Sequence, residues 1–204
     1  MKALIFAGVV VVVALMAGST TVSALVTIES VDPAGDAVFS PPAVSAPGYL
    51  DIVKNSLTAD GSSFVVRFEM AASVPAMPDL HPGIHEVWWQ SGFDTDPSAV
   101  PAGFPLPPGV ASQRAEFQAV IRWDGHAFSG ILIDRTPLFT GGDAVITPLS
   151  FTISGATLTA TVSAERLGNP ASFVLRFTIF AWRGTLGSLG LFGVDFGEPV
   201  VWSS

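Results

Sequence analysis

The stretch FVVRFEM, Phe64–Met70, decides the fold class, because every second side chain in it is large and apolar. The even-numbered positions carry these apolar side chains, whereas Arg67 and Glu69 occupy two of the positions between them. Successive side chains of a β-strand point to opposite faces. The alternation therefore predicts a strand with one face on an apolar core and the other face in water.

Similar patterns recur along the chain at short intervals. Ala115–Trp123 and Thr157–Val162 alternate in the same way, and other apolar or β-branched runs predict further strands. These further strands are expected at Leu25–Val31, Tyr49–Ala59, Val87–Phe93, Phe128–Asp134, Ala144–Ile153, Phe173–Trp182 and near Val200.

Turn residues separate the predicted strands. The pairs Asp60–Gly61, Asp124–Gly125 and Ser154–Gly155 are typical of β-hairpin turns. Only Ser163–Gly168 predicts helix, a single turn that Ser163 caps and Gly168 ends. About ten short strands with hairpin spacing predict an all-β fold: a two-sheet antiparallel β-sandwich of the jelly-roll or immunoglobulin-like type.

The first 24 residues have the pattern of an export signal. Lys2 precedes the uncharged run Ala3–Gly18, and small residues at 22–24 offer a cleavage site. The run is shorter than the ~20 residues that a transmembrane helix needs, so we expect cleavage and no stable membrane insertion afterwards; a retained anchor is the alternative. The sequence thus predicts a signal peptide at 1–24, one β-sandwich domain at 25–204, and a secreted or cell-surface location.

Charge and cysteine content exclude some classes of protein. Without Lys2 the chain has 8 basic and 17 acidic residues, which argues against a nucleic-acid partner because phosphates attract clustered Lys and Arg. The chain has no cysteine, so no disulfide can stabilise it. The sequence leaves the oligomeric state open.

Acidic residues near turns are candidates for a metal site. Asp32 and Asp36 flank a tight loop that contains Gly35, Asp51 opens the predicted strand after Tyr49, and Asp195 lies near the C-terminus. Ca²⁺ takes about six to eight oxygen ligands from carboxylates and loop carbonyls. A tight loop with two aspartates offers both kinds of oxygen. The alternative is that Asp32 and Asp36 are ordinary turn residues that accept hydrogen bonds from the backbone.

No pattern in the sequence predicts catalysis. Asp94 and Asp96 in FDTD could form a glycosidase pair, but a turn explains them as well. His81 and His85 have the spacing of metal ligands on a helix, yet Pro82 between them makes a helix improbable. We therefore expect a protein that is not an enzyme.

Two predicted strands offer outward-facing aromatic and polar residues. If Val87 and Phe173 point inward, then Trp88 and Gln90 face outward on one strand, and Arg176 and Trp182 face outward on the other. Such a set can stack on a sugar ring and bond to its hydroxyls. The alternative is that both faces are covered and the tryptophans are packed.

Five short motifs together resemble the DOMON-like sandwiches, a group that includes carbohydrate-binding modules of the family-nine type. They are DPAGD (Asp32–Asp36), YLDI (Tyr49–Ile52), FDTD (Phe93–Asp96), SAERLGNP (Ser163–Pro170) and DFGEPVVW (Asp195–Trp202). The resemblance implies a structural Ca²⁺ held by Asp32, Asp36, Asp51 and Asp195. It also implies sugar binding by paired aromatic residues, a part that Trp88 and Trp182 could play.

These observations lead to one expected function and one alternative. The expected protein is a secreted, non-enzymatic β-sandwich that binds extracellular carbohydrate or a cell-surface polymer and holds a structural Ca²⁺. The alternative is a structural domain of the cell surface or envelope that associates through its sheets and binds no small ligand. In that case Trp88 and Trp182 should be buried.

Overall fold

A computed structural model describes residues 25–39, 44–80, 83–96, 115–182 and 191–204. The predicted signal peptide, His81 and the proline-rich stretch Pro97–Gln113 lie outside the described residues. Within them the chain forms thirteen strands and three short 3-10 helices. No helix in this part of the chain is long and apolar enough to cross a membrane.

The first sheet contains five antiparallel strands in the order β1-β4-β5-β11-β10. Asp60 forms the β4–β5 turn, because its Oδ1 accepts hydrogen bonds from the N–H groups of Ser62 and Ser63 at 3.0 and 2.7 Å. The strands are β1 (Val26–Val31), β4 (Ile52–Ala59), β5 (Ser63–Met70), β10 (Ser150–Ser154) and β11 (Thr157–Ser163).

The second sheet contains six antiparallel strands in the order β13-β12-β6-β7-β8-β9. They are β6 (Glu86–Asp94), β7 (Phe117–Trp123), β8 (Phe128–Asp134), β9 (Val145–Pro148), β12 (Ser172–Trp182) and β13 (Leu191–Ser203). The short strands β2 (Val38–Phe39) and β3 (Val44–Ser45) form a hairpin of their own. The 3-10 helices are Gly48–Leu50, Thr136–Thr140 and Glu165–Leu167.

The core lies between the inner faces of the two sheets. The even-numbered positions of the stretch 64–70 are at most 3% exposed, whereas Arg67 is exposed. Phe64 makes an edge-to-face contact with Phe173 of the second sheet, with the ring centroids 5.0 Å apart. Phe68 contacts Phe177 in the same way, with the ring centroids 5.1 Å apart. These contacts confirm the predicted all-β antiparallel sandwich and the inward face of β5.

Three local predictions need correction. The first turn of Tyr49–Ala59 is the 3-10 helix Gly48–Leu50, and the strand begins at Ile52. Ala144–Ile153 is two strands in two sheets, since the N–H of Leu149 donates to Gly130 O at 3.0 Å and the chain crosses over there. Ser163 does not cap the helical turn, because it is the last residue of β11.

Buried polar contacts join the sheets where β13 meets β1 and β4. Ser30 Oγ donates to Asn55 Oδ1 and lies 3.1 Å from the carbonyl oxygen of Glu198, and Asn55 Nδ2 lies 3.4 Å from the same oxygen. Asn55 is 1% exposed. A Cβ at Gly197 would collide with Asn55 Nδ2, so this seam requires glycine at position 197.

We expect Gly197→Ala to lower the free energy of unfolding by about 1–3 kcal/mol, the usual cost of overpacking a tight site. Chemical denaturation of the single variants and the double variant measures it. In an Asn55→Ala background the same glycine substitution should cost clearly less, because the colliding amide is gone. Equal costs in both backgrounds would contradict the collision as the cause.

Candidate functional site

The four predicted ligand residues converge at one end of the sandwich. Asp32 follows β1, Asp36 ends the next loop, Asp51 follows the helix Gly48–Leu50, and Asp195 lies within β13. One carboxylate oxygen from each of Asp32, Asp36 and Asp195 lies within 4.8 Å of the other two. Residues from both ends of the chain therefore form one acidic cluster.

Backbone contacts hold the loop that carries the first two aspartates. The N–H of Asp32 donates to Val53 O at 3.1 Å. Gly35 has a φ of 87°, which L side chains rarely adopt, and its N–H donates to Asp51 Oδ2 at 2.7 Å. Asp51 therefore joins the cluster from the side and fixes the bend of the loop.

Two oxygens of the cluster are buried without a hydrogen bond. Asp32, Asp51 and Asp195 are 7%, 5% and 4% exposed. The carboxylate of Asp195 accepts from the N–H of Ile52 at 2.5 Å and of Phe196 at 2.8 Å. Asp32 Oδ2 and Asp51 Oδ1, by contrast, have no hydrogen-bond partner among the described residues, although buried carboxylate oxygens are costly to leave unpaired.

Burial and mutual repulsion raise the pKa values in the cluster. Burial, followed by the negative charge of Asp195, raises the pKa of Asp32 from 3.8 to about 7. Burial raises the pKa of Asp195 to about 6, although the N–H groups of Ile52 and Phe196 oppose the shift. The pKa of Asp36 is also raised, chiefly by burial. The ionised carboxylates are therefore less stable in this cluster than aspartates are in water.

The cluster fits a hard divalent cation on the chemistry of its donors. Its side chains are carboxylates, and those of Asp32 and Asp51 each keep one oxygen that accepts no hydrogen bond from the residues that the structure describes. Ca²⁺ prefers carboxylate oxygens as ligands. A bound cation would supply the positive charge that the cluster lacks. Asp32, Asp36 and Asp195 would hold it directly, with Asp51 beside them.

Glu198 lies near Asp195 in the sequence but is not one of the four predicted ligands. Its negative charge contributes to the raised pKa of Asp32, so it lies close to the cluster. Register shifts in the pairing of β12 with β13 interrupt the regular alternation around it. Only its position three residues after Asp195 could have pointed to it.

Trp88 and Gln90, two of the four predicted sugar-binding residues, are packed and not open to solvent. Trp88 and Gln90 lie on the face of β6 that points away from the main core, as the alternation predicts, but they are only 8% and 3% exposed. Their burial agrees with the alternative in which both faces of this strand are covered and the tryptophan is packed. Trp88 packs with Val120, Ile133 and Phe180 in a second apolar cluster.

Hydrogen bonds and ion pairs hold the polar side chains beside this second cluster. Trp88 Nε1 donates to Glu86 Oε1 at 2.5 Å, and Arg122 forms an ion pair with the same carboxylate. Arg176 is half-buried, and its Nη1 lies 3.8 Å from Asp94 Oδ2. Trp182 is in β12 opposite Glu86, and its side chain lies outside the described residues.

The other sequence candidates lie at strand ends and turns. Asp94 is the last residue of β6 and is buried, while the N–H of Asp96 donates to Glu116 Oε2 at 3.3 Å. His85 is exposed just before β6. The N–H of His126 donates to Asp124 Oδ1 at 2.9 Å, which makes this segment the predicted hairpin turn.

The resemblance to DOMON-like sandwiches depends on short motifs. No protein-family model, no curated protein and no solved structure matches the chain. The resemblance therefore stays a prediction, and the acidic cluster is described by its own geometry.

The raised pKa values predict how stability depends on pH when no cation is bound. Asp32 and Asp195 bind protons more tightly in the folded chain than in the unfolded chain. Their contribution to stability is therefore full at low pH and is lost as the pH rises through the folded pKa values. In a chelator, the thermal midpoint should fall between about pH 4 and pH 7, as measured by circular dichroism.

Two controls make this test specific. Asp32→Asn should flatten the fall, because the amide keeps the shape and cannot ionise. Calcium should oppose the fall, because cation binding favours the ionised carboxylates. A midpoint in chelator that is flat or rises over this range would contradict the proposed electrostatics.

Proposed function

We propose that this chain is an exported, non-enzymatic binding domain whose loops are organised by Ca²⁺ and which binds extracellular carbohydrate. The observation that carries the proposal is the acidic cluster with two buried oxygens, Asp32 Oδ2 and Asp51 Oδ1, that have no hydrogen-bond partner in the described part of the chain. The export pattern of residues 1–24 supports a secreted or cell-surface location, where free calcium is abundant enough for weak sites.

The position of the cluster gives the cation a structural role. It lies where β13 of the second sheet meets β1 and β4 of the first sheet. A cation held there by Asp32 and Asp195 would tie the beginning of the domain to its last strand. Binding to the folded state alone then stabilises it by mass action.

Asp36→Ala tests the cation site without disturbing the core, because Asp36 is exposed. At a calcium concentration about 100 times the Kd, the bound ion contributes about 2.7 kcal/mol to stability. We expect the variant to lose most of this contribution in calcium. In chelator it should be as stable as the parent chain or slightly more so, because one source of repulsion on Asp195 is removed.

Asp60→Ala is the matched control for this comparison. Asp60 is also an exposed loop aspartate, but it accepts backbone hydrogen bonds in a turn far from the cluster in sequence. Its loss should lower the thermal midpoint equally in calcium and in chelator. If Asp36→Ala behaves like this control, the cation site is refuted.

A structural role without a small ligand is the second candidate. The burial of Trp88 favours it, since a buried indole cannot stack on a sugar ring. The chain would then be a domain of the cell surface or envelope that associates through its sheets. Exposed apolar side chains on the second sheet, Phe196 in β13 and Ile146 in β9, are available for such contacts.

A polysaccharide pull-down separates the two candidates. Protein recovered after expression of the full sequence is incubated with soluble and insoluble neutral polysaccharides, in calcium and in chelator, and its fold is checked by circular dichroism. Carbohydrate binding predicts retention in calcium and a clear loss of retention in chelator. Folded protein that no polysaccharide retains would favour the structural role.

A further inference from the structure

The aspartate cluster is buried on one side and open to solvent on the other. Asp32, Asp51 and Asp195 are at most 7% exposed. Asp36, by contrast, is exposed, and so are the three loop residues before it, 33–35. A Cβ at Gly35 would meet no atom within 4 Å apart from its chain neighbours. A cation held by these carboxylates would therefore lie at the surface of the domain, beside the exposed loop.

The four aspartates supply fewer oxygens than Ca²⁺ takes. Both carboxylate oxygens of Asp195 already accept backbone N–H groups, and Asp51 Oδ2 accepts another. Asp32 Oδ2 and Asp51 Oδ1 accept no hydrogen bond from the described residues and remain for the ion. Ca²⁺ takes about six to eight oxygens, so one oxygen from each of four aspartates leaves about two to four positions.

The charge of the cluster selects the kind of ligand that could take these positions. Glu198 is exposed, and its negative charge acts on Asp32 together with those of the other three aspartates. A divalent cation neutralises only part of this charge, so the site repels carboxylate and phosphate groups. A neutral ligand with two neighbouring hydroxyl groups meets no such repulsion, and its oxygens can replace water on the ion.

We propose that the cation is itself the carbohydrate contact of this chain: two neighbouring hydroxyl groups of a neutral sugar bind it on the side of Asp36. This inference rests on the proposed function, and it gives the cation a role in binding as well as in stability. It needs no exposed aromatic platform on β6, which agrees with the burial of Trp88.

Terbium luminescence counts the water molecules on the bound ion. Tb³⁺, a hard cation similar in size to Ca²⁺, is added to protein recovered after expression of the full sequence, and its emission decay is measured in H₂O and in D₂O. The difference between the two decay rates gives the number of coordinated waters. We expect about two or more, because the aspartates leave that many positions. No coordinated water would overturn the inference, since the chain itself would then close the site.

Sugars are then added to the terbium-loaded chain. The probes are the methyl glycosides of glucose, galactose and mannose, together with oligosaccharides cut from whichever polysaccharide retains the chain. At least one probe should lower the number of coordinated waters by about two, since two hydroxyl oxygens replace them. Methanol at the same hydroxyl concentration should not lower it, because methanol has no second hydroxyl group. A water count that no sugar changes would contradict the proposed contact.

Glu198→Gln tests the preference for a neutral ligand. In the parent chain, glucuronate should displace water less effectively than methyl glucoside does. The variant should narrow this difference about two- to threefold, the size of one screened charge near the surface. Glu165→Gln is the matched control, since Glu165 is also exposed but lies beside the β4–β5 turn, at the far end of β4 from Asp51. Glucuronate that displaces water more effectively than the neutral sugar would overturn the charge argument.

The outcomes separate this inference from the proposed function. If Ca²⁺ does not displace Tb³⁺ from the chain, the cation site itself is refuted. If a polysaccharide retains the chain but no sugar replaces water on the ion, the carbohydrate binds elsewhere and only the inference fails. If no polysaccharide retains the folded chain, carbohydrate binding fails, and this inference fails with it.

Discussion

The meeting of carboxylates from distant parts of the chain is the constraint on which the rest of the site depends. Asp32, Asp36 and Asp195 bring oxygens within 4.8 Å of one another at the junction of the two sheets. Like charges this close repel, and burial adds to the cost of ionisation. The fold tolerates the arrangement through protonation or through a cation, and the unpaired oxygens of Asp32 and Asp51 favour the cation.

An open cleft lined by His85 and His126 lies beside the segment that carries Asp51, because Tyr49 of that segment contacts Asp79 in the cleft wall. Gly48–Leu50 is a 3-10 helix with Asp51 directly after it and with Tyr49 at its centre. Asp51 accepts a hydrogen bond from the N–H of Gly35 in the acidic loop, and the hydroxyl of Tyr49 donates to the carbonyl oxygen of Asp79 in the cleft wall. A cation that orders this short segment would therefore also order the backbone at Asp79.

The face of the second sheet that points away from the main core is not a simple wet face. Trp88, Val120, Ile133 and Phe180 form a second apolar cluster there, and polar neighbours such as Glu86 are also buried. Alternation correctly placed the side chains of Trp88 and Val87 on opposite faces of β6, because that follows from the pleat of the strand alone. It could not show that this face is buried, because burial depends on what else packs on the sheet.

The sequence by itself determined the fold class, most strand positions and the inward face of strands such as Phe64–Met70, because alternation and turn chemistry are local properties. It also determined which residue types could hold a hard cation. Only the tertiary structure decided that Asp32 and Asp195 meet, that Glu198 joins them and that His85 and His126 share a cleft. Such pairs lie far apart in the chain or are separated by turns, and only the packing of the two sheets fixes the distance between them.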